Sequence, residues 1–366
     1  MKLSLAREDL LGPLQRVIGA IEKRQTMPVL GHVLVSLQNG TLSLTATDLE
    51  IELRDAVHGV MGDDSETTLP ARKLLDICKT LPDGAEITLS VSGNKATLKA
   101  GRSRFNLSTL AANEFPRTDA LQEPVLFSLP QRALRSALQK TAFSMALQDV
   151  RYYLNGLLLE LSPGNLRAVT TDGHRLSLSE FPIDIDIDTQ HQAIVPRKGV
   201  QELLRLLADE DGDVQVAMTA NHVQFALGDL RYTSKLIDGR FPDYQRVMPA
   251  DNPRIATIDR ETLRQALARV AILANEKYKG VRLQFAADRL TVQTHNPEQE
   301  EAEDEIAIGF SGDVIEIGFN VGYVLDVLQA IDSESVLFKL SDGNSSCLVT
   351  AAEDDNHRYV VMPMRL

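Results

Sequence analysis

The chain has no tryptophan and only two cysteines, Cys78 and Cys347, in 366 residues. Two thiols so far apart exclude a disulfide framework and a four-cysteine zinc site, and they suit a reducing compartment. No apolar run approaches the roughly 18 residues of a membrane helix, so no membrane partner is expected. Arg7, Glu8 and Asp9 interrupt the first apolar residues before a secretory leader could form, and a cytoplasmic protein is expected. Positive charge is also short. Lys and Arg number 38 against 51 Asp and Glu, a net charge of -13. As a total, that balance argues against a nucleic-acid partner, because phosphates need cations.

Signatures of chemistry are missing as well. Asp172, His174 and Ser177 or Ser179 hint at a hydrolase, but there is no G-x-S-x-G elbow, P-loop or Rossmann glycine fingerprint. The acidic run 298–305 matches neither an EF-hand nor paired nuclease carboxylates. No intrinsic catalysis, metal or cofactor is expected.

What the chain does have is repetition. Hydrophobic residues make up 43% of it, enough for several cores, and the length suggests two or three domains. Thr47-Asp48 recurs as Thr171-Asp172, and His295-Asn296 holds the third place at the same step. Behind each pair comes a short lead-in ending in Pro70, Pro196 or Asn320, then an amphipathic stretch, an acidic turn and an alternating strand. A further amphipathic stretch opens each copy. In the second copy Leu134, Ala137, Leu138 and Thr141 or Ala142 fall at helical spacing. Runs such as Thr41-Leu42-Ser43-Leu44-Thr45 have the period of two of a half-buried strand. The expected fold is α+β, three tandem copies of one domain with two helices packed on antiparallel sheets. Pro-bearing polar stretches put the boundaries at 1–124, 125–250 and 251–366.

The charge is segregated. Five of the six helical windows (7–24, 71–81, 131–151, 197–207, 260–282) carry more Lys and Arg than acid, and only 320–331, with Asp326 alone, does not. The strands and loops therefore hold the whole negative excess. Arg and Lys are ordinary on solvated helix faces, yet this agreement within an acidic protein points to one surface that faces a polyanion. Helices lining a closed wall about 10 Å apart set its bore. Six helices leave about 9 Å clear and twelve leave about 28 Å. Only the second admits duplex DNA, so two chains joined head to tail form the smallest such ring. A linear scaffold without closure is the alternative.

Several long strings are familiar in order along the whole chain. GRSRFNLSTL, QDVRYYLNG, TTDGHRL, VPRKGV, TSKLIDGRFPDYQRV, NPEQEEAE, EIGFNVGYVLDVL and YVVMPMRL closely resemble the bacterial sliding clamp family, the beta subunit of DNA polymerase III. The resemblance implies a homodimeric six-domain ring that encircles duplex DNA without sequence specificity. It implies that the ring tethers the replicative polymerase alpha subunit and that a clamp loader opens it. Other polymerases and repair proteins would share one pocket through short clamp-binding peptides. By the same resemblance, DNA contacts fall to Arg24, Gln148, Arg151, Tyr152, Tyr153 and Lys198, although either tyrosine could instead cap the core of the next strand. The peptide pocket maps to Leu154, Thr171, Gly173, His174, Arg175, Leu176, Pro242, Arg246, Val247, Asn320, Tyr323, Ser346, Val360, Met362, Pro363, Met364 and Arg365. Without the family, His174 reads as a structural histidine. The subunit contact maps to Lys73, Arg102, Arg104 and Phe105 on one side. Ile272, Leu273, Glu298, Glu300, Glu301, Glu303 and Asp304 lie on the other, and the acidic run alone reads as a solvated loop.

Overall fold

The computed structural model describes residues 1–22, 27–185, 187–208, 211–249 and 252–365. It divides into two compact units, Met1–Gln131 with Arg205–Leu236, and Arg132–Leu204 with Ile237–Leu366. Among the described residues there are six α-helices, two per sequence copy: α1 (Arg7–Val17), α2 (Ala71–Thr80), α3 (Gln131–Thr141), α4 (Arg197–Leu206), α5 (Arg260–Val270) and α6 (Val321–Ala330). The expected α+β architecture of antiparallel sheets is therefore present. No helix is long and apolar enough to cross a membrane.

The first unit holds two sheets. One runs Met61–Gly62, Lys2–Ala6, Glu86–Ser92, Lys95–Ala100, Ser103–Ser108. The other has eight strands, in the order Val125–Pro130, Asp213–Met218, His222–Leu227, Leu230–Lys235, Ile51–His58, Thr41–Thr47, His32–Gln38, Ser65–Pro70. The second unit holds an eight-stranded sheet, His191–Pro196, Gly156–Ser162, Asn165–Thr171, Arg175–Pro182, His357–Val361, Cys347–Ala351, Ser335–Leu340, Arg254–Asp259. Its other sheet runs Glu301–Ala307, Arg289–His295, Gly280–Ala286, Ile315–Asn320.

The repeat read from the turns is the repeat of the strands. Thr41–Thr47, Asn165–Thr171 and Arg289–His295 are seven residues each and end on the marker positions. Pro70, Pro196 and Asn320 each close a strand, and a helix starts at the next residue. Two of the helix starts are capped by side chains. Asp259 accepts from the Thr262 amide at 2.8 Å, and Asn320 from Gly322 at 2.9 Å, each satisfying a donor the helix cannot. Helix α5 buries Leu263, Ala266, Leu267 and Val270, the stripe expected of one sheet-facing side. Val281, Leu283 and Phe285 meet it from the alternate positions of a strand. Both cysteines are buried free thiols, and burial pushes Cys78 up to about 11.

Each eight-stranded sheet is two four-stranded halves joined at a strand edge, and the two joints are alike. In the first, Leu53 pairs with Tyr232 and Glu52 with Thr233. In the second, Ser177 pairs with Tyr359 and Leu176 with Val360. Tyr232 and Tyr359 are both 0% exposed, so the joint is a packed core rather than a loose contact.

Candidate functional site

The second joint is where most of the sequence-predicted pocket residues gather. Strand Asn165–Thr171 ends in a tight turn. The Thr171 hydroxyl donates to the Arg175 carbonyl at 2.6 Å, and the Gly173 amide donates back to that hydroxyl at 3.1 Å. Asp172 accepts from the amides of His174 and Arg175 at 2.9 and 3.1 Å, the Asx pattern that Asp favours in turns. Gly173 has φ +88°, and a side chain there would also press on Arg151, whose Nη2 lies 3.0 Å from the Cβ position. Both constraints call for glycine.

Arg175 ties this turn to helix α6. Its guanidinium donates to Asp172 at 3.1 Å, Asp326 at 2.5 Å and the Phe143 carbonyl at 2.9 Å. Its Cζ sits 4.4 Å from the centre of the Tyr323 ring, within cation–π range. His174 stacks on the same tyrosine, centroids 6.4 Å apart and 20° between planes. The chain beyond strand His357–Val361 runs alongside, with the Met362 amide donating to the His174 carbonyl at 3.0 Å.

On the sheet face opposite these helices, Leu176 and Val360 form an apolar floor with Leu158, Leu178, Phe241 and Tyr244. Val247, Met248 and Tyr153 are partly buried against it. A cavity of about 420 Å³ borders this floor, lined by Arg167, Leu178, Tyr244, Gln245, Met248, Pro249, Leu348 and Arg358, and none of the sequence-predicted pocket residues lines it. Leu154 is buried in the turn Tyr152–Asn155 and is not part of this floor. Pro242 and Arg246 are exposed on the covering loop, where Arg246 pairs with Asp243 at 2.9 Å. Ser346 is half-buried at the head of strand Cys347–Ala351 and its carbonyl accepts from Asn252 at 3.1 Å. An apolar floor with methionines at its margin suits short hydrophobic peptides, because thioethers adapt their shape.

Not every expected residue joins this cleft. Asn320 is taken up as the α6 cap. Met364 and Arg365 line a separate cavity of about 820 Å³ with Tyr278, Thr294, His295 and Ala302, and Met364 is fixed there by its amide on the Gly318 carbonyl at 2.9 Å. Pro363 spans the interval, half-buried.

Sequence reading missed what holds the covering loop. The Tyr244 hydroxyl donates to buried Glu160 at 2.7 Å. Glu160 also accepts from Arg167 at 3.2 Å and Gln192 at 2.8 Å, and Arg167 bridges on to Glu180 at 2.7 Å. Burial and the Glu160 bond push the Tyr244 phenol up to about 12. Tyr244→Phe should cost about 1–2 kcal/mol and loosen the loop that carries Arg246 and Val247, which urea unfolding and amide exchange across 242–248 would show. The hint in the sequence is a charge, Glu160, inside the apolar run Leu157-Leu158-Leu159-Glu160-Leu161.

The residues expected to touch DNA fall on one loop and one helix. Gln148 has φ +57°, and Leu147, Val150 and Tyr152 around it are 74%, 94% and 58% exposed. Tyr152 and Tyr153 meet edge to face at 6.0 Å, with Tyr153 turned to the peptide-cleft floor. Arg151 grips Asp149 through Nε at 3.0 Å and Nη2 at 2.9 Å, and this pairing lowers the Asp149 carboxyl to about 2. A phosphate would have to compete with that carboxylate. Lys198 is half-buried on α4. Arg24 lies outside the described residues.

Five of the eleven expected subunit-contact residues sit on edge strands that have no neighbour on one side among the described residues. Arg104 and Phe105 belong to edge strand Ser103–Ser108 of the first unit, with exposed Arg102 just before it and exposed Lys73 on α2. Glu301, Glu303 and Asp304 belong to edge strand Glu301–Ala307 of the second unit, with exposed Glu298 and Glu300 just before it. Asp304 is paired within the chain to Arg269 at 2.6 Å. Ile272 is 78% exposed and Leu273 half-buried.

Three like domains, each two helices on antiparallel strands and joined edge to edge, define a clamp-fold protein. Family models describing the DNA polymerase III beta subunit match its N-terminal domain to residues 1–119, its central domain to 128–243 and its C-terminal domain to 245–365. The beta sliding clamp of Pseudomonas putida is 52% identical and that of Escherichia coli 48%, each across 100% of both chains. A crystal structure of the DNA polymerase sliding clamp from Pseudomonas aeruginosa superposes with a TM-score of 0.98 at 50% identity over 100% of both chains. Another from that organism, bound to griselimycin, gives 0.97 at 51% identity, again over 100% of both chains. The chain belongs to the beta sliding clamp family, the non-catalytic processivity subunit of DNA polymerase III.

Proposed function

We propose that two copies of this chain close head to tail into a ring around duplex DNA and hold the polymerase there. The observation that carries this reading is the repeated strand joint. In each joint a strand of the kind Ile51–His58 or Arg175–Pro182 pairs with one of the kind Leu230–Lys235 or His357–Val361. One edge of each kind is left over, Glu301–Ala307 and Ser103–Ser108. Unpaired edges seek partners, and joining unlike edges head to tail makes either a ring or a filament. Repeating the register between chains sets Phe105 opposite Ala302 and Arg104 opposite Glu303. Phe105 then takes the place of Tyr232 and Tyr359. Arg102, Arg104 and Lys73 meet the carboxylates of Glu298, Glu300, Glu301, Glu303 and Asp304, which fixes the register. Ile272 and Leu273 add apolar contact.

Three domains, 1–124, 125–250 and 251–366, thus become six. The basic helices offer phosphate contacts, joined by Arg24, Gln148, Arg151, Tyr152, Tyr153 and Lys198. Such contacts position the ring without reading bases, and weak, screened contacts permit sliding. The cleft at the second joint takes the hydrophobic peptides of the polymerase, the clamp loader and repair proteins. Nucleotide transfer belongs to the polymerase subunit of the complex, and the work is done in the cytoplasm. The test is retention on DNA. After loading onto a nicked circular plasmid, the protein should co-elute with it and be lost when the plasmid is cut once. Equal retention on linear and circular DNA would contradict encirclement.

A further inference from the structure

The first strand joint carries a cleft made of the same parts as the second. Phe115-Pro116 and Phe241-Pro242 open matching loops, both phenylalanines buried. The loop after Pro116 encloses a cavity of about 450 Å³ against strands Ile51–His58 and Leu230–Lys235. The turn before the joint is also the same. The Thr47 hydroxyl donates to the Ile51 carbonyl at 2.7 Å, as Thr171 does to Arg175 at 2.6 Å. Asp48 accepts from the amides of Glu50 and Ile51, as Asp172 does from His174 and Arg175. Leu49 holds φ +78° where Gly173 holds +88°. Leucine in that region is uncommon, and here it keeps the turn's form while adding a side chain that is 39% exposed.

The frame is shared, but the lining chemistry differs. The two strand registers match position for position, so Glu52 stands where Leu176 does and Thr233 where Val360 does. One turn and two residues further along, Glu50 replaces His174 and Lys235 replaces Met362. Glu52 accepts the Thr118 amide at 2.9 Å, and burial raises its carboxyl above the usual range against the pull of the Thr118 hydrogen bonds and of Arg54 and Arg117 nearby. Arg117, on the rim, is drawn to Glu66 at 2.7 Å. Glu50 and exposed Asp119 add carboxylates to the lining, against Lys235.

We infer that the first-joint cleft is a second peptide site, taking an extended segment of a partner protein that places a basic side chain beside Glu52. The inference rests on reading the second-joint cleft as a peptide site. A Lys or Arg head would give the half-buried carboxylate a charge-assisted hydrogen bond, and its methylene stem would lie on Leu49 and Leu121. The two joints would then hold peptides of different chemistry in one frame, apolar at the second and basic at the first.

The test uses the full-length protein and two fluorescein-labelled pentapeptides, one with lysines flanking a central leucine and a twin with glutamates in their place. The lysine peptide should saturate at one site per chain, and its twin should bind at least about tenfold more weakly. Glu52→Gln keeps an acceptor for the Thr118 amide and should weaken the lysine peptide about fivefold, while exposed Lys235→Glu should tighten it. Equal binding of the twins, or unchanged affinity in Glu52→Gln, overturns the proposal. An apolar pentapeptide of leucine and phenylalanine, titrated in parallel, reports on the second joint. If it displaces the lysine peptide, both share one cleft and the proposal fails. If it does not bind while the lysine peptide does, the second-joint reading fails and the first-joint site stands.

Discussion

Phe105→Asp leaves the chain as a 40.3 kDa monomer at concentrations where the wild type sediments at about twice that mass. The expectation comes from the internal joints. Tyr232 and Tyr359, the counterparts of Phe105, are 0% exposed, and both stand in the middle of a strand pair. An aspartate there must be neutralised or desolvated without a partner. That costs several kcal/mol, so the dimer dissociation constant should rise by about a thousandfold or more. Phe105→Tyr is the control, because the other two joints use tyrosine at this position, and it should dimerise as the wild type does. Sedimentation velocity reads both variants. An Asp variant that remains dimeric would remove strand Ser103–Ser108 from the subunit contact.

Arg175→Ala is the second large effect. Arg175 is 9% exposed and joins Asp172, Asp326, the Phe143 carbonyl and the Tyr323 ring at one point. Removing it leaves the largely buried Asp172 carboxylate without its cation, and breaking a buried pair on one side costs about 3 kcal/mol or more, while half-exposed Asp326 adds little. The urea midpoint of the second unit should fall accordingly. Affinity for an apolar peptide should fall with it, since the turn that orients His174 and receives Met362 loses its brace. Lysine should not rescue either property, because an ammonium cannot match the forked donors or stack on Tyr323. Unchanged melting in Arg175→Ala would show that the Asp172 turn stands by itself.

Much of this architecture is legible in the sequence. The threefold repeat showed because each copy reuses the same turn and lead-in, and turn chemistry is local: Asp48 and Asp172 satisfy amides two and three residues away. The helices showed because their buried stripes repeat at a fixed period. The pairing of Leu53 with Tyr232 did not, since residues so distant in sequence leave no periodic trace of which edges meet. The same limit hid the Glu160–Tyr244–Arg167 network and the separation of Met364 and Arg365 from the main cleft. Arg151 reads in the sequence only as a candidate DNA contact; its grip on Asp149, two residues upstream, shows only in the folded loop. The first-joint cleft was not legible: the kinship of EFPRTDAL and RFPDYQRV emerges only once both phenylalanines are seen buried.

The two leftover strand edges have a bearing on solubility. A molecule with one acidic and one basic sticky end could in principle add copies without limit, as fibres do, and only the angle at which successive copies meet decides whether growth stops. Substitutions that alter that angle while sparing both edges should therefore yield polymers rather than single chains, a failure distinct from loss of contact.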